Sequence, residues 1–232
     1  MSRKETTDYF NRELSWIEFN NRVMKEACRG EYPLLERFKF LSITSSNFDE
    51  FFMIRVAGIK RSIIKKTPYS CPSGISAPEL LNEISKETHV IVKEQYALLN
   101  NEILPGLKSS GVNICEIKEL SKNDINYINS YFQSQVFPVL TPLKAVSNKA
   151  AHNFGNLQLY TGFILEGNEE KEFAVVPVPA SLTRLCPLPD KLKGEKRFIL
   201  LGDVIKLNAT FLFPGYKIIE HGNFRLDRKS VV

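Results

Sequence analysis

The stretch LSITSSNFDEFFMIRVAG, Leu41–Gly58, decides how the first half of the chain is read. Its middle, Ser45 to Glu50, is short and polar, and the sequence on either side is strongly apolar. On pattern alone the polar segment starts a helix. Asn47 and Glu50 have the spacing of a capping pair, with Asn in place of Ser or Thr; Ser46 answered by Asp49 is the alternative. In either case the first turn offers free backbone N–H groups and a positive dipole end. An Asn amide both donates and accepts, so Asn47 also has the chemistry to read an adenine edge.

Upstream of this stretch, Trp16, Phe19, Val23 and Ala27 recur at steps of three and four, which predicts one apolar helix face. Ser15 and Glu18 have capping-box spacing, and Gly30 ends the segment. Pro33 opens a second short helix with Leu34, Leu35, Phe38 and Leu41 inward. Downstream, a third helix carries Phe48, Phe52, Val56, Ile59 and Ile63 on its apolar side. Arg55, Lys60, Arg61, Lys65 and Lys66 fill much of the remainder. This basic face suits a polyanion path, and it equally suits cations offsetting the dipole at a helix C-terminus. Thr67 to Pro78 is a loop. Ser76 with Glu79 and Pro78 then starts a long helix through Leu80, Ile84, Ile91 and Leu98, which Pro105-Gly106 stops. Amphipathic helices in succession imply a bundle over residues 1–106.

Beyond Gly106 the pattern changes to α+β. Val112 to Ile117 reads as a strand, and Ser121 caps a helix with Tyr127, Ile128, Tyr131 and Phe132 inward. Phe137 to Leu143 reads as an extended connector because of its prolines. Leu157 to Glu166 and Glu172 to Val178 form a hairpin across Gly167 to Lys171. Lys196 to Leu201 is a further strand and Asp203 to Thr210 a short helix. Tyr216 to Glu220 and Asn223 to Leu226 are a last pair of extended segments. The fold class is therefore α + (α+β): a helical bundle, 1–106, then a mixed α+β domain, 107–232.

The 232 residues are 43% hydrophobic and carry a net charge of +5, a mild basic excess that favours phosphates among ligands. Four scattered cysteines form no C-x-x-C pair and read as free thiols of a reducing cytoplasm. MSRKETTDYFNRE lacks the apolar core of a signal peptide, and no stretch reaches the length of a membrane span. No Gly-rich phosphate loop, H-x-x-x-H pair or nucleophile elbow occurs. His89, His152 and His221 are far apart and read as surface or structural residues. The acidic pairs Asp49-Glu50 and Glu169-Glu170 sit where charge is solvated or favourable. Neither a catalytic residue nor a metal ligand is expected.

YFNRELSWIEFNNRVMKEA, Tyr9 to Ala27, followed by PLLERFKFLSITSSNFDEFFMIRVAGIK, Pro33 to Lys60, resembles the N-terminal domain of the long bacterial polyphosphate kinases. YFQSQVFPVLTPL, FAVVPVP, RFILLGDVI and LFPGYKI resemble their next, head domain. The resemblance implies reversible transfer of the terminal phosphate of ATP to inorganic polyphosphate, with Mg²⁺ and a phosphohistidine. It implies that Asn47 contacts ATP, that the helical domain holds the base side, and that the head domain supports a homo-oligomer. The family's catalytic histidines and Mg²⁺ ligands lie in further C-terminal domains, and nothing in this sequence matches those motifs. The head domain therefore reads as incomplete, and this chain is expected to be inactive alone. The partners expected are ATP, ADP and polyphosphate, with no nucleic acid and no transmembrane segment, in the cytoplasm or peripherally at a membrane. Arg55, Lys60 and Arg61 are candidates for the phosphate path. A non-enzymatic dimerisation or scaffold module and a basic nucleic-acid-binding helical domain are the alternative classes.

Overall fold

A computed structural model describes residues 9–67, 69, 71–145, 154–167, 171–190 and 194–226. The chain divides into two compact units, one ending at Gly106 and the other spanning Leu107–Leu226. The first is helical and the second a mixture of helices and two sheets.

In the first unit α1 runs Arg12–Glu26. Its cap is Asn11, whose side-chain oxygen accepts from the N–H groups of Glu13 and Leu14. Ser15 lies inside the helix, so the expected Ser15–Glu18 box is corrected. The buried stripe is also displaced by one residue: Glu13, Ile17, Asn20, Met24 and Ala27 face inward, while Phe19 is half-exposed and Trp16 only partly covered. Trp16 stacks on Phe51 at 4.4 Å.

The largest departure concerns the opening stretch. Helix α2, Leu34–Phe51, passes through Ser45 to Glu50 without a break, continues through a π-helical turn over Phe52–Val56, and becomes α3, Ala57–Ile64. Asn47 and Ser46 are therefore mid-helix and cap nothing. The polar run is tolerated because its groups find partners. Gln95 Nε2 donates to Leu41 O and Ser45 Oγ, and Thr44 Oγ1 donates to Phe40 O. The buried positions step Leu41, Thr44, Phe48, Phe51, then Val56 and Ala57. That five-residue stride is the π turn, which rotates the inward face and keeps α3 packed. Early in α2 Arg37 is buried while Leu35 and Phe38 are exposed. Arg37 Nε donates to Ala27 O at 2.7 Å, and its Nη2 pairs with Glu102.

Helix α4, Ala77–Leu98, starts as the sequence predicts: Ser76 and Glu79 form a reciprocal capping box with a proline in the first turn. It packs against α1 and α3. A π turn over Leu99–Ile103 leads into α5, Leu104–Ser109. Pro105-Gly106 thus does not stop the helix. The π turn directly precedes Pro105, whose missing N–H leaves a helical carbonyl without its donor. A Cβ at Gly106 would lie 2.9 Å from Leu34 Cδ2, so a larger residue there would make the Leu34 side chain shift.

The second unit begins with β1, Val112–Ile114, shorter than expected. Helix α6, Lys122–Tyr131, carries the Ser121 capping box with Asp124. Phe132–Val136 is a π turn and Phe137–Val139 a 3-10 turn, so the expected extended connector begins only after them. Strand β2, Leu143–Ala145, pairs with β4, Lys171–Pro177, which forms the predicted antiparallel pair with β3, Leu159–Glu166. Strands β5, Leu185–Pro187, and β6, Lys196–Leu200, are antiparallel, and β6 runs parallel to β1. Helices α7, Leu201–Leu207, and α8, Ala209–Leu212, replace the single short helix expected. The last two extended segments are one strand, β7, Lys217–Arg225, bulged against β3. The sheet orders are β1-β6-β5 and β2-β4-β3-β7. Ile128, Phe132, Val136, Phe163, Val176, Ile199 and Ile205 build the shared core.

Candidate functional site

Asn47 sits on α2, partly buried. Its Nδ2 donates to Asn20 Oδ1 on α1 at 2.9 Å. Asn20 is wholly buried, and its own Nδ2 donates to Thr44 O at 3.2 Å. The Asn47 Oδ1 is the amide atom not turned to Asn20; it takes no hydrogen bond among the described residues, and the residue is only partly buried. The result is an anchored amide with an uncommitted acceptor and a second amide hydrogen. Such a group recognises a ligand carrying a donor, an exocyclic amine among them.

Farther along the same continuous helix, Ile54, Arg55, Gly58 and Ile59 line a cleft of about 520 Å³, completed by Tyr9, Phe10, Arg12, Glu13, Tyr69, Cys71 and Pro72. Arg55 is exposed there. Arg12 is 72% exposed and pairs with the nearly buried Glu13 at 3.0 Å. Burial, then the charges of Glu13 and Cys71, push the Tyr69 hydroxyl up from its ordinary value. The cleft therefore combines two guanidinium groups with aromatic walls. Lys60, Arg61, Lys65 and Lys66 are exposed but do not line it. Arg61 Nε turns back to Ala57 O at 3.2 Å.

His89 is exposed on α4, its Nδ1 2.6 Å from Ser85 O; His221 is exposed on β7; His152 and the Glu169-Glu170 pair lie outside the described residues. Among the described residues no three His, Cys, Asp or Glu side chains come together as a metal site. Among the described residues no helix is long and apolar enough to cross a membrane.

Sequence reasoning singled out Asn47 and Arg55 but missed Asn20, Arg12 and Tyr69. A buried Asn in an amphipathic helix gives no periodic signal, because pattern reading assigns polar residues to solvent. Arg12 and Tyr69 come from segments remote in sequence, and only the folded chain brings them to one cleft.

A family model described as the polyphosphate kinase N-terminal domain matches residues 9–115, and one described as the polyphosphate kinase middle domain matches residues 123–231. A relative from Bacillus anthracis, named polyphosphate kinase, is 39% identical over 97% of this chain and 33% of its own length. One from Chlorobaculum tepidum, named polyphosphate kinase 1, is 36% identical over 96% of this chain and 33% of its own. The crystal structure of polyphosphate kinase from Porphyromonas gingivalis superposes with a TM-score of 0.84 at 26% identity, covering 97% of this chain and 34% of that one. The chain spans about a third of the length of these relatives.

Proposed function

The chain belongs to the polyphosphate kinase family, as its N-terminal and middle domains, and from that premise we propose that it forms the base-side part of an ATP site in an enzyme that reversibly transfers the terminal phosphate of ATP to inorganic polyphosphate. The observation that carries this reading is the partly buried Asn47 amide, anchored through Nδ2 by Asn20 with Oδ1 on the opposite side of the amide. Residues 1–106 act as the nucleotide-base domain. Asn47 bonds the adenine edge, and the purine is held by hydrogen bonding and contact rather than by charge. Phosphoryl transfer needs positioned phosphates and neutralising metal, and Mg²⁺ supplies the latter when bound by residues other than those described here. The residues from 107 onward support a homo-oligomer, and the enzyme works in the cytoplasm.

Arg55 is the best supported of the phosphate-path cations, because it is exposed and lines the cleft with Arg12. Lys60 and Arg61 extend that charge along the helix. Reversal of Arg55 to Glu should weaken polyphosphate binding and reduce its salt dependence; unchanged binding removes Arg55 from the path. Calorimetric titration of the chain with ATP tests the nucleotide reading. Asn47→Ala should lower ATP affinity about tenfold, the scale of one hydrogen bond to a ligand, and should also cost about 1–3 kcal/mol of stability because it leaves the buried Asn20 Oδ1 without its donor. Lost stability with unchanged affinity would mean that Asn47 only joins two helices.

A further inference from the structure

The Asn47 amide owes its orientation to a relay that begins at a backbone carbonyl. Thr44 O can only accept, so Asn20 must turn its Nδ2 toward it, 3.2 Å away. The Asn20 oxygen then faces Asn47, which must answer with its own Nδ2, 2.9 Å away. Turning either amide over would set oxygen against oxygen or nitrogen against nitrogen. Asn20 is fully buried, so no water is at hand to relieve that mismatch. The Asn47 Oδ1 is consequently fixed as the acceptor turned away from Asn20, on a side chain that is only partly buried.

Resting on the reading of Asn47 as the nucleotide-base contact, we propose that Asn20 is a positioning residue that holds the Asn47 carbonyl toward the ligand and so selects a purine with a 6-amine over a 6-oxopurine. Adenine offers N6–H donors at this edge, whereas guanine and hypoxanthine offer the O6 acceptor. A freely rotating Asn would turn its nitrogen to O6 and accept either base. An Asn anchored by Asn20 meets O6 with its own oxygen. Sites built to bond one polar group discriminate strongly against an analogue that leaves them unpaired.

The probes are ATP and inosine triphosphate, titrated calorimetrically into the whole chain. ATP should bind about tenfold more tightly, within the range of one specific base contact. Asn20→Leu removes both relay bonds at similar volume and should bring the two affinities within about twofold. Asn20→Asp keeps an oxygen for Asn47 Nδ2 and should retain the preference. Both variants lose stability, so stability does not separate a positioning role from a packing role, while the affinity ratio does. Equal affinities in the unsubstituted chain, or a tenfold ratio surviving in Asn20→Leu, overturn the proposal. If neither variant folds, NMR of the unsubstituted chain decides: one Asn47 Nδ2 proton should exchange with deuterium at least tenfold more slowly than the other, and equal exchange overturns the relay. If Asn47→Ala leaves ATP affinity unchanged, the nucleotide reading itself fails. If Asn47→Ala weakens ATP binding but the ratio survives in Asn20→Leu, only the role of Asn20 fails.

Discussion

Removing the Asp124 carboxylate should unfold the second unit under conditions where the native chain is stable. Arg197 on β6 meets Asp124 on α6 through two parallel hydrogen bonds of 2.9 Å, and their side chains are 2% and 4% exposed. Arg197 Nη1 also donates to Pro189 O at 3.2 Å. The guanidinium is held in its charged form, its pKa raised by the bond to Asp124 against the opposing effect of burial. An arginine guanidinium keeps its proton at neutral pH even without that partner, so the variant cannot shed the buried charge. Taking away one partner of such a buried pair costs about 3–5 kcal/mol, since the other charge is left in a dry site. Asp124 further accepts from Ser121 N and Oγ at 2.8 Å, closing the α6 cap, which adds about 1 kcal/mol to its loss. Asp124→Ala should thus be the more damaging change and Arg197→Met the milder. A loss of this size lowers a urea midpoint by about 1–3 M at ordinary slopes. Far-UV circular dichroism is the assay, because the one tryptophan, Trp16, belongs to the other unit. Asp124→Leu with Arg197→Met together should be more stable than the sum of the single losses. Single losses below about 1 kcal/mol that simply add would refute the reasoning.

Other outcomes follow from single features. Ser76→Ala removes the reciprocal box at the start of α4 and should cost about 1 kcal/mol in urea unfolding. Thiol labelling of the native chain should modify Cys28 first and leave Cys115 and Cys186 untouched until denaturant is added, since both are buried and burial raises the Cys186 thiol pKa. Labelling of Cys186 at the rate of Cys28 contradicts the packing of β5. The Lys108 bond to Glu119 lowers that carboxyl's pKa. Its contribution is present above the unfolded carboxylate pKa and fades as pH falls through the folded one. Glu119→Gln should therefore reduce the acid dependence of stability slightly, on the small scale of a solvent-exposed pair.

The helical character of the first unit was legible because amphipathic spacing and the Ser76 box are local signals. The continuity of α2 through Ser45 to Glu50 was not. Local propensity treats a polar run as an end, whereas tertiary partners on α1 and α4, Asn20 and Gln95, make it an interior. The π turn at Phe52–Val56 was hidden for a related reason. Phe48, Phe52 and Val56 keep clean four-residue spacing, yet the buried face skips from Phe51 to Val56. In the second unit the β3–β4 pair stood out as two strand-like segments joined across the Gly167 to Lys171 turn. Strand β5 did not, being three residues that end in Pro187, with a pairing to β6 that only the folded chain settles. The gap between the two extended segments expected at Tyr216 to Glu220 and Asn223 to Leu226 is bridged within β7, where Gly222 lies opposite Gly162. For the site, the family resemblance drew attention to Asn47. Its anchor at Asn20, 27 positions away in sequence, required the fold.

The central claim, that this chain holds the base end of ATP at Asn47, is tested most directly by NMR titration of the isotopically labelled chain with ATP. The account predicts shifts that saturate and centre on the Asn47 side-chain amide, with smaller changes at Asn20 and Thr44. Shifts confined to Leu107–Leu226, or an Asn47 side chain that does not move at saturating ATP, would contradict it.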